Sequence, residues 1–376
     1  LSLISRRACR DTWCRCTVWK AFTEWSGFVS RAMMKAAVVD SFGDLTIREV
    51  PRPIVADANG VLIKVAACGV CRTDIETIDG DLAGVYGVPQ FPYIPGHETT
   101  GVVESVGDGV TSAAVGDKVI LHPLTTCGTC TGCRSGKDMY CSSSTFAGVD
   151  AVTWGGWAEF VVVGERALIV VPPDSDLVEL APYTDAGLTA YHAVERVRHL
   201  LLPDAVIVIM GIGGVGHFGL QVARTATPAT IVAVEPSAER SQLAKELGAD
   251  HLVTSLGDEA RDEVLALTSG RGADVVIDFA GNLDSPNLGI SMLAKGGTLS
   301  IVGALGDLQI NTLAAVVKEI SIVFNIVGNH HELATLASMS AKGLRSPYVV
   351  YPLDDAHRAI DDLRNGRLSG RAILVP

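Results

Sequence analysis

The stretch Ala205-Val206-Ile207-Val208-Ile209-Met210-Gly211-Ile212-Gly213-Gly214-Val215-Gly216 reads as a buried strand running into a G-x-G-x-x-G turn, and residues 217–224 continue with the apolar spacing of a helix. A strand before and a helix after form the context in which such glycines hold a dinucleotide. Gly211 permits the tight turn, Gly213 opens the backbone to a pyrophosphate, and Gly216 lets helix and strand pack closely. Gly214 and Val215 complete the turn, whose unpaired amides and positive helix end face the phosphates. A second apolar strand, 230–234, ends on Glu235, 19 residues after Gly216. A carboxylate there accepts bonds from the ribose hydroxyls and repels a 2′-phosphate, which predicts NAD over NADP; Arg240 is the nearby group that argues the other way.

Working outward, strands at 274–279 and 298–302, the last ending on Val302 at the cofactor side, alternate with helical stretches such as 239–247. This βαβ alternation predicts an α/β domain with a doubly wound parallel sheet over 185–321. Residues 34–184 have another texture: short apolar runs at 36–39, 61–67, 101–106, 118–121 and 158–163, broken by Gly and Pro. That is a β-rich, barrel-like pattern with long loops. The tail, 322–376, returns to mixed texture, with helices expected at 333–342 and 354–365 and a last strand at 372–375.

Composition narrows the partners. The 376-residue chain is 48% hydrophobic and 19% charged with a net charge of -12, which argues against nucleic-acid binding and suits a small uncharged substrate. No run of 18 apolar residues is present, so no membrane span is expected. Residues 1–33 differ: six Arg or Lys, only Asp11 and Glu24 as acids, and Trp13, Trp19 and Trp25. This segment reads as an artefactual extension, with an organellar leader as the alternative, and Met34 as a natural start opening a strand.

Cysteines carry the metal chemistry. Six of the nine fall between Cys68 and Cys141, a clustering unlike a disulfide framework and suited to a reducing, cytoplasmic setting. Cys127-x2-Cys130-x2-Cys133-x7-Cys141 puts four thiols within 15 residues, a spacing for closed tetrahedral zinc of a structural kind. An iron-sulfur cluster is the competing reading, but the ferredoxin spacings are missing. Two shorter signals, Cys71-Arg72-Thr73-Asp74 and Gly96-His97-Glu98, add a thiol, an imidazole and carboxylates. With one further carboxylate these make a three-ligand zinc site open to substrate.

In this order, Cys-Arg-Thr-Asp, Gly-His-Glu, the four-cysteine lobe and the glycine fingerprint resemble the zinc-containing medium-chain alcohol dehydrogenases over residues 34–376. Thr184-Asp185-Ala186-Gly187-Leu188-Thr189 is most similar to the bacterial NAD-dependent secondary-alcohol enzymes of that family. The resemblance implies a GroES-like catalytic domain (34–184 and 322–376) beside the Rossmann domain (185–321), with Zn2+ at two sites and NAD. It makes Asp185 the third catalytic-zinc ligand after Cys71 and His97, where many relatives use cysteine; a helix N-cap is the other role open to Asp185. It makes Thr73 the hydroxyl of the proton relay, Asp74 the carboxylate that orients His97, and Glu98 a residue close to zinc. Arg72 and Arg371 become pyrophosphate contacts and Thr189 a nicotinamide contact. Tyr86, Trp154, Ile326 and Val327 become pocket residues around a roomy apolar site for secondary or aryl-substituted alcohols. Glu76 stands where relatives often have the histidine that passes the proton to solvent. Homodimers or homotetramers are implied. The rival readings are a polyol or formaldehyde-type dehydrogenase on the same scaffold and a non-catalytic, crystallin-like nucleotide-binding member.

Overall fold

Apolar segments that each lead into a helix have one economical solution, a parallel sheet covered on both faces. A computed structural model describes residues 32–150, 153–303 and 306–376. In chain order its strands are β1 (Met33–Ser41), β2 (Asp44–Pro51), β3 (Gly60–Val70), β4 (Glu98–Val106), β5 (Lys118–Leu121), β6 (Leu124–Thr125), β7 (Thr145–Phe146), β8 (Phe160–Gly164) and β9 (Leu168–Val170). Then follow β10 (Val206–Met210), β11 (Thr230–Val234), β12 (His251–Val253), β13 (Ala273–Asp278), β14 (Leu293–Ile301), β15 (Ser321–Phe324), β16 (Tyr348–Pro352) and β17 (Arg371–Val375).

The six-stranded sheet runs β12-β11-β10-β13-β14-β15, with every neighbouring pair parallel. Strand order reverses between β10 and β13, so the crevice outside their carboxyl ends is where this architecture binds ligands. Two strands, β12 and β15, were not expected. β15 also corrects the junction placed at residue 322: its register on β14, Thr298↔Ser321 to Ile301↔Phe324, carries the parallel sheet through Phe324. β14 starts at Leu293, ahead of the expected 298, because Leu293 already pairs with Ala273 across an irregularity.

The β-rich part forms a seven-stranded sheet, β16-β17-β3-β4-β5-β9, with β8 also pairing β3. The final strand β17 lies antiparallel to β3, Ala372 opposite Val70 and Leu374 opposite Cys68, so the tail completes the sheet begun near the other end of the chain. Pairing of β3 with β4 sets Gly69 opposite Glu98. As a result the loop after β3, with Cys71, and the residue before β4, His97, come to one place. Gly69 is required there, since a Cβ would collide with the Glu98 carboxylate. Residues 1–31 lie outside the described residues; the extension expected at 1–33 meets described chain only at Ala32 and Met33, and Met33 opens β1.

The largest apolar cluster joins the two parts of the chain. Ile207, Ile209 and Ile277 of the parallel sheet share it with Leu188, Tyr183, Phe218 and Leu336. The helix Ala186–Val197, which starts beside Asp185, buries Ala186, Leu188, Ala190, Ala193, Val194 and Val197 in this cluster and so anchors its own N-terminus. Gly216→Ala should show how tightly strand and helix meet, because a methyl there would run into the Gly211 carbonyl oxygen. A loss of about 1–3 kcal/mol, the usual cost of overpacking, is expected in urea denaturation together with weakened NAD binding. An unchanged midpoint would contradict the packing.

Candidate active site

Cys71 is the N-cap of the helix Arg72–Asp79, and Asp74 in its first turn folds back onto it. The Asp74 carboxylate is fully buried and accepts the Cys71 N–H at 2.8 Å and the Gly96 N–H at 3.2 Å. Its Oδ1 also lies 3.0 Å from His97 Nδ1. A carboxylate only accepts, so Nδ1 carries a hydrogen and Nε2 is the nitrogen left for a ligand. Nε2 is buried, makes no hydrogen bond and lies 3.4 Å from Asp185 Oδ2. Asp185 Oδ2 is in turn 4.0 Å from Cys71 Sγ. Metal bonds of about 2.0–2.3 Å place tetrahedral ligand atoms roughly 3.3–3.8 Å apart, which these separations approach. One ligand atom each from Cys71, His97, Glu98 and Asp185 lies within 4.8 Å of all the others.

The electrostatics agree. Burial opposes a charge on His97, but the carboxylates of Asp74 and Asp185 outweigh it and raise its pKa well above the ordinary histidine value. The pocket thus attracts positive charge at Nε2, and a proton and a metal ion compete for that place. Burial also opposes ionisation of Asp185, yet His97 lowers its pKa. Asp185 does begin the helix Ala186–Val197, but its side chain makes no capping bond. It turns inward, with Thr189 donating to Oδ1 at 3.3 Å. Glu98, wholly buried, is ion-paired to Arg371 and keeps its Oε2 unpartnered.

The second group is the lobe 127–141. Cys127 and Cys133 sulfurs are 4.0 Å apart and those of Cys130 and Cys133 3.6 Å, against an edge of about 3.8 Å for tetrahedral thiolates around zinc. The Cys130 N–H points to Cys127 Sγ and the Cys127 N–H to Cys141 Sγ, each at 3.4 Å. The hydroxyl of Thr129, with backbone amides, pushes the Cys127 thiol down to about 5, while burial pushes Cys133 up to about 12. Four adjacent thiols cannot all ionise without a cation among them, so both groups have the donors, spacing and charge that a metal ion requires.

Most of the residues expected to hold the cofactor lie near the ends of β10, β11 and β14. Gly213 has open space where a Cβ would stand, and Gly214 faces Arg371, whose Nη1 would be 2.8 Å from such a Cβ. Val215 caps the helix Gly216–Ala226. Glu235, 3% exposed, accepts the Ile212 N–H at 2.8 Å and the Ser237 N–H at 3.0 Å, and Arg240 pairs with it at 3.1 Å. Arg240 therefore neutralises Glu235 in part. Asp278, which the sequence reading did not single out, is fully buried beside them at the end of β13. It accepts bonds from Ala280 N–H, Gly281 N–H and the Ser285 hydroxyl, shaping the loop that Gly211 packs on. Its signal was an acidic residue at a strand end facing the crevice. Val302 follows β14 and its N–H donates to the Asp278 carbonyl. Arg72 is exposed and Thr73 half-buried at the start of their helix.

Of the expected pocket residues, Tyr86 packs edge-on against Phe146, whose ring meets His97 at 5.1 Å. Phe146 is thus a neighbour of His97 that the sequence did not single out. Trp154 lines a small cavity that includes His97. Ile326 is 49% exposed, whereas Val327 is 2% exposed and packs into the large apolar core. Val327 holds φ at +49°, strained for a β-branched residue.

A fold and site of this kind define a zinc-binding dehydrogenase with a dinucleotide domain. The family models agree: residues 57–173 match the alcohol dehydrogenase GroES-like domain and residues 214–342 the zinc-binding dehydrogenase domain. An alcohol dehydrogenase of Geobacillus stearothermophilus is 35% identical over 348 residues, 91% of this chain and 98% of that protein. An NAD-dependent alcohol dehydrogenase of Sulfurisphaera tokodaii is 32% identical over 335 residues, 87% of this chain and 94% of that one. The crystal structure of the Aeropyrum pernix alcohol dehydrogenase superposes with a TM-score of 0.87 at 37% identity, covering 91% of this chain and all (100%) of that one. The chain belongs to the zinc-containing medium-chain alcohol dehydrogenase family.

Asp74→Ala should leave His97 without its anchor and lower metal affinity at the Cys71–His97–Asp185 group by about 10–100-fold, as measured by chelator competition. Asp74→Asn, which still accepts one bond, should fall between. Equal affinity in all three proteins would remove Asp74 from this role.

Proposed function

We propose that this NAD-dependent alcohol dehydrogenase interconverts secondary or aryl-substituted alcohols with their ketones or aldehydes, holding one catalytic zinc on Cys71, His97 and Asp185 and one structural zinc on Cys127, Cys130, Cys133 and Cys141. The observation that carries this reading is His97 Nε2, buried without a hydrogen bond and facing a carboxylate and a thiol. Zinc in that place supplies Lewis acidity toward the substrate oxygen, and NAD supplies the hydride acceptor.

The chain's own residues do the rest. Asp74 fixes the tautomer and ring direction of His97, and Thr189 steadies Asp185. Thr73, two residues past Cys71 in the first turn of its helix, carries the substrate proton outward. Arg371 holds Glu98 in the pocket wall and balances its charge. Glu235 takes the ribose and excludes a 2′-phosphate, with Arg240 limiting how strongly it does so. Arg72 and Arg371 supply positive charge to the pyrophosphate. Tyr86, Phe146 and Trp154 give the substrate an apolar wall, and Ile326 lies at its exposed rim.

The same reading includes self-association. The helix Thr312–Lys318 buries no residue, and Leu313, Val316 and Val317 on it are 74%, 69% and 65% exposed beside the edge strand β15 with its exposed Phe324. An apolar patch next to an open sheet edge suits a second copy of the chain. No helix among the described residues is long and apolar enough to cross a membrane. A reducing cytoplasm fits the six free cysteines among the described residues.

Initial rates with ethanol, 2-alkanols and 1-phenylethanols, each with NAD and NADP, test the substrate reading. Higher kcat/KM for the secondary and aryl alcohols with NAD is expected; turnover of ethanol-sized substrates alone, or an NADP preference, would overturn it. Zinc analysis should find two ions per chain. Asp185→Ala should lose one of them with the activity and keep the other, and retention of both would move the third ligand elsewhere, to Glu98 first.

A further inference from the structure

One face of the helix Gly216–Ala226 is tied to the β-rich part of the chain by side chains that neither metal group nor cofactor contact uses. His217 is fully buried, with Nδ1 2.8 Å from the Gly213 carbonyl and Nε2 2.9 Å from Ser346 Oγ. The carbonyl can only accept, so Nδ1 bears the hydrogen. Burial pushes the His217 pKa down to about 4, which keeps the ring neutral at physiological pH and leaves Nε2 to accept the Ser346 hydroxyl at 2.9 Å, with the Pro347 carbonyl at 3.1 Å as that hydroxyl's other acceptor. One turn later Gln221 grips both backbone groups of Arg345: its Nε2 donates to the carbonyl at 2.8 Å and its Oε1 accepts the N–H at 3.2 Å.

These bonds reach the metal pocket through the backbone. The Pro347 carbonyl accepts the Arg371 N–H at 2.9 Å, and Gly370 packs on that carbonyl so closely that any Cβ would collide. Arg371 then pairs with Glu98 and lies against Gly214. An unbroken set of contacts thus runs from the glycine turn through 345–347 and 370–371 to the residue beside His97. Hydride transfer needs donor and acceptor carbons about 3–3.5 Å apart, and a misplacement near 1 Å can cost roughly 100-fold. Two sheets must therefore be held in register at the crevice.

We propose that His217 and Gln221 are positioning residues which, through Ser346 and Arg345, set the spacing between the cofactor cradle and the metal pocket for hydride transfer. The proposal rests on the assignment of those two sites given under Proposed function.

Ser346→Ala deletes one hydroxyl, and His217→Asn keeps a donor for the Gly213 carbonyl while losing the reach to Ser346. In both, kcat should fall by about tenfold with the KM for NAD within about threefold, and the primary deuterium isotope effect on kcat should rise as hydride transfer becomes limiting. The double variant should be no slower than either single one, and Ser346→Thr should restore the rate. Amide exchange at Arg345 and Arg371 should quicken in the slow variants while the melting temperature stays within a few degrees. Unchanged kcat and isotope effect would overturn the proposal. So would a parallel loss of kcat, NAD affinity and melting temperature, which marks a fold staple. If the parent chain oxidises no alcohol, the functional reading fails, and the clamp is judged on exchange at Arg345 and Arg371, where no change would sink it.

Discussion

A buried thiol and three buried carboxylates around one imidazole are the constraint on which the rest of this structure depends. Cys71, Asp74, Glu98 and Asp185 all lie out of water beside His97. Unpaired charges in such a place cost several kcal/mol each, so the fold must bring positive charge to them. Arg371 is one answer, delivered by the last strand through its pairing with β3. Cys71, His97 and Asp185 have the donors and spacing to hold a metal ion, which would be the other. The return of the C-terminal tail to the sheet that began near residue 60 is therefore an electrostatic need as much as a packing one.

The parallel sheet solves a different problem with backbone. At its switch point the chain keeps side chains away from Gly213, turns the Glu235 carboxylate onto the fingerprint amide of Ile212, and shapes the next loop with buried Asp278. These are contacts of main chain with charge. Burial raises the pKa of Asp278 even though three donors oppose it, so its fixed partners are what make it tolerable there. The Cys71–His97–Asp185 pocket and the cradle then meet across Arg371, whose side chain touches both Glu98 and the glycine turn.

Much of this was legible in the residue order. The strand, turn and helix around Gly211, and the spacing of Cys127, Cys130, Cys133 and Cys141, are local patterns whose chemistry depends on neighbours a few residues apart. For that reason β10, β11 and the cysteine lobe stand where the pattern placed them. β12 and β15 were missed because three- and four-residue strands at the edges of a sheet carry little periodicity. The junction at 322 failed with β15, since only pairing to β14 shows that Ser321–Phe324 belongs to the parallel sheet.

The sequence by itself determined the fold class, the dinucleotide turn and the four-thiol lobe, because each is written within one short stretch of chain. Tertiary structure alone decided that Asp185 turns to His97 instead of capping its helix, that Val327 packs into the core while Ile326 stays exposed, and that Phe146 meets His97, Asp278 holds the loop beside Gly211 and His217 reaches Ser346. Those outcomes join residues as far apart as His217 and Ser346 or Glu98 and Arg371. Which groups meet there is set by strand register and by the cost of leaving buried polar atoms unpaired, quantities that no local pattern records.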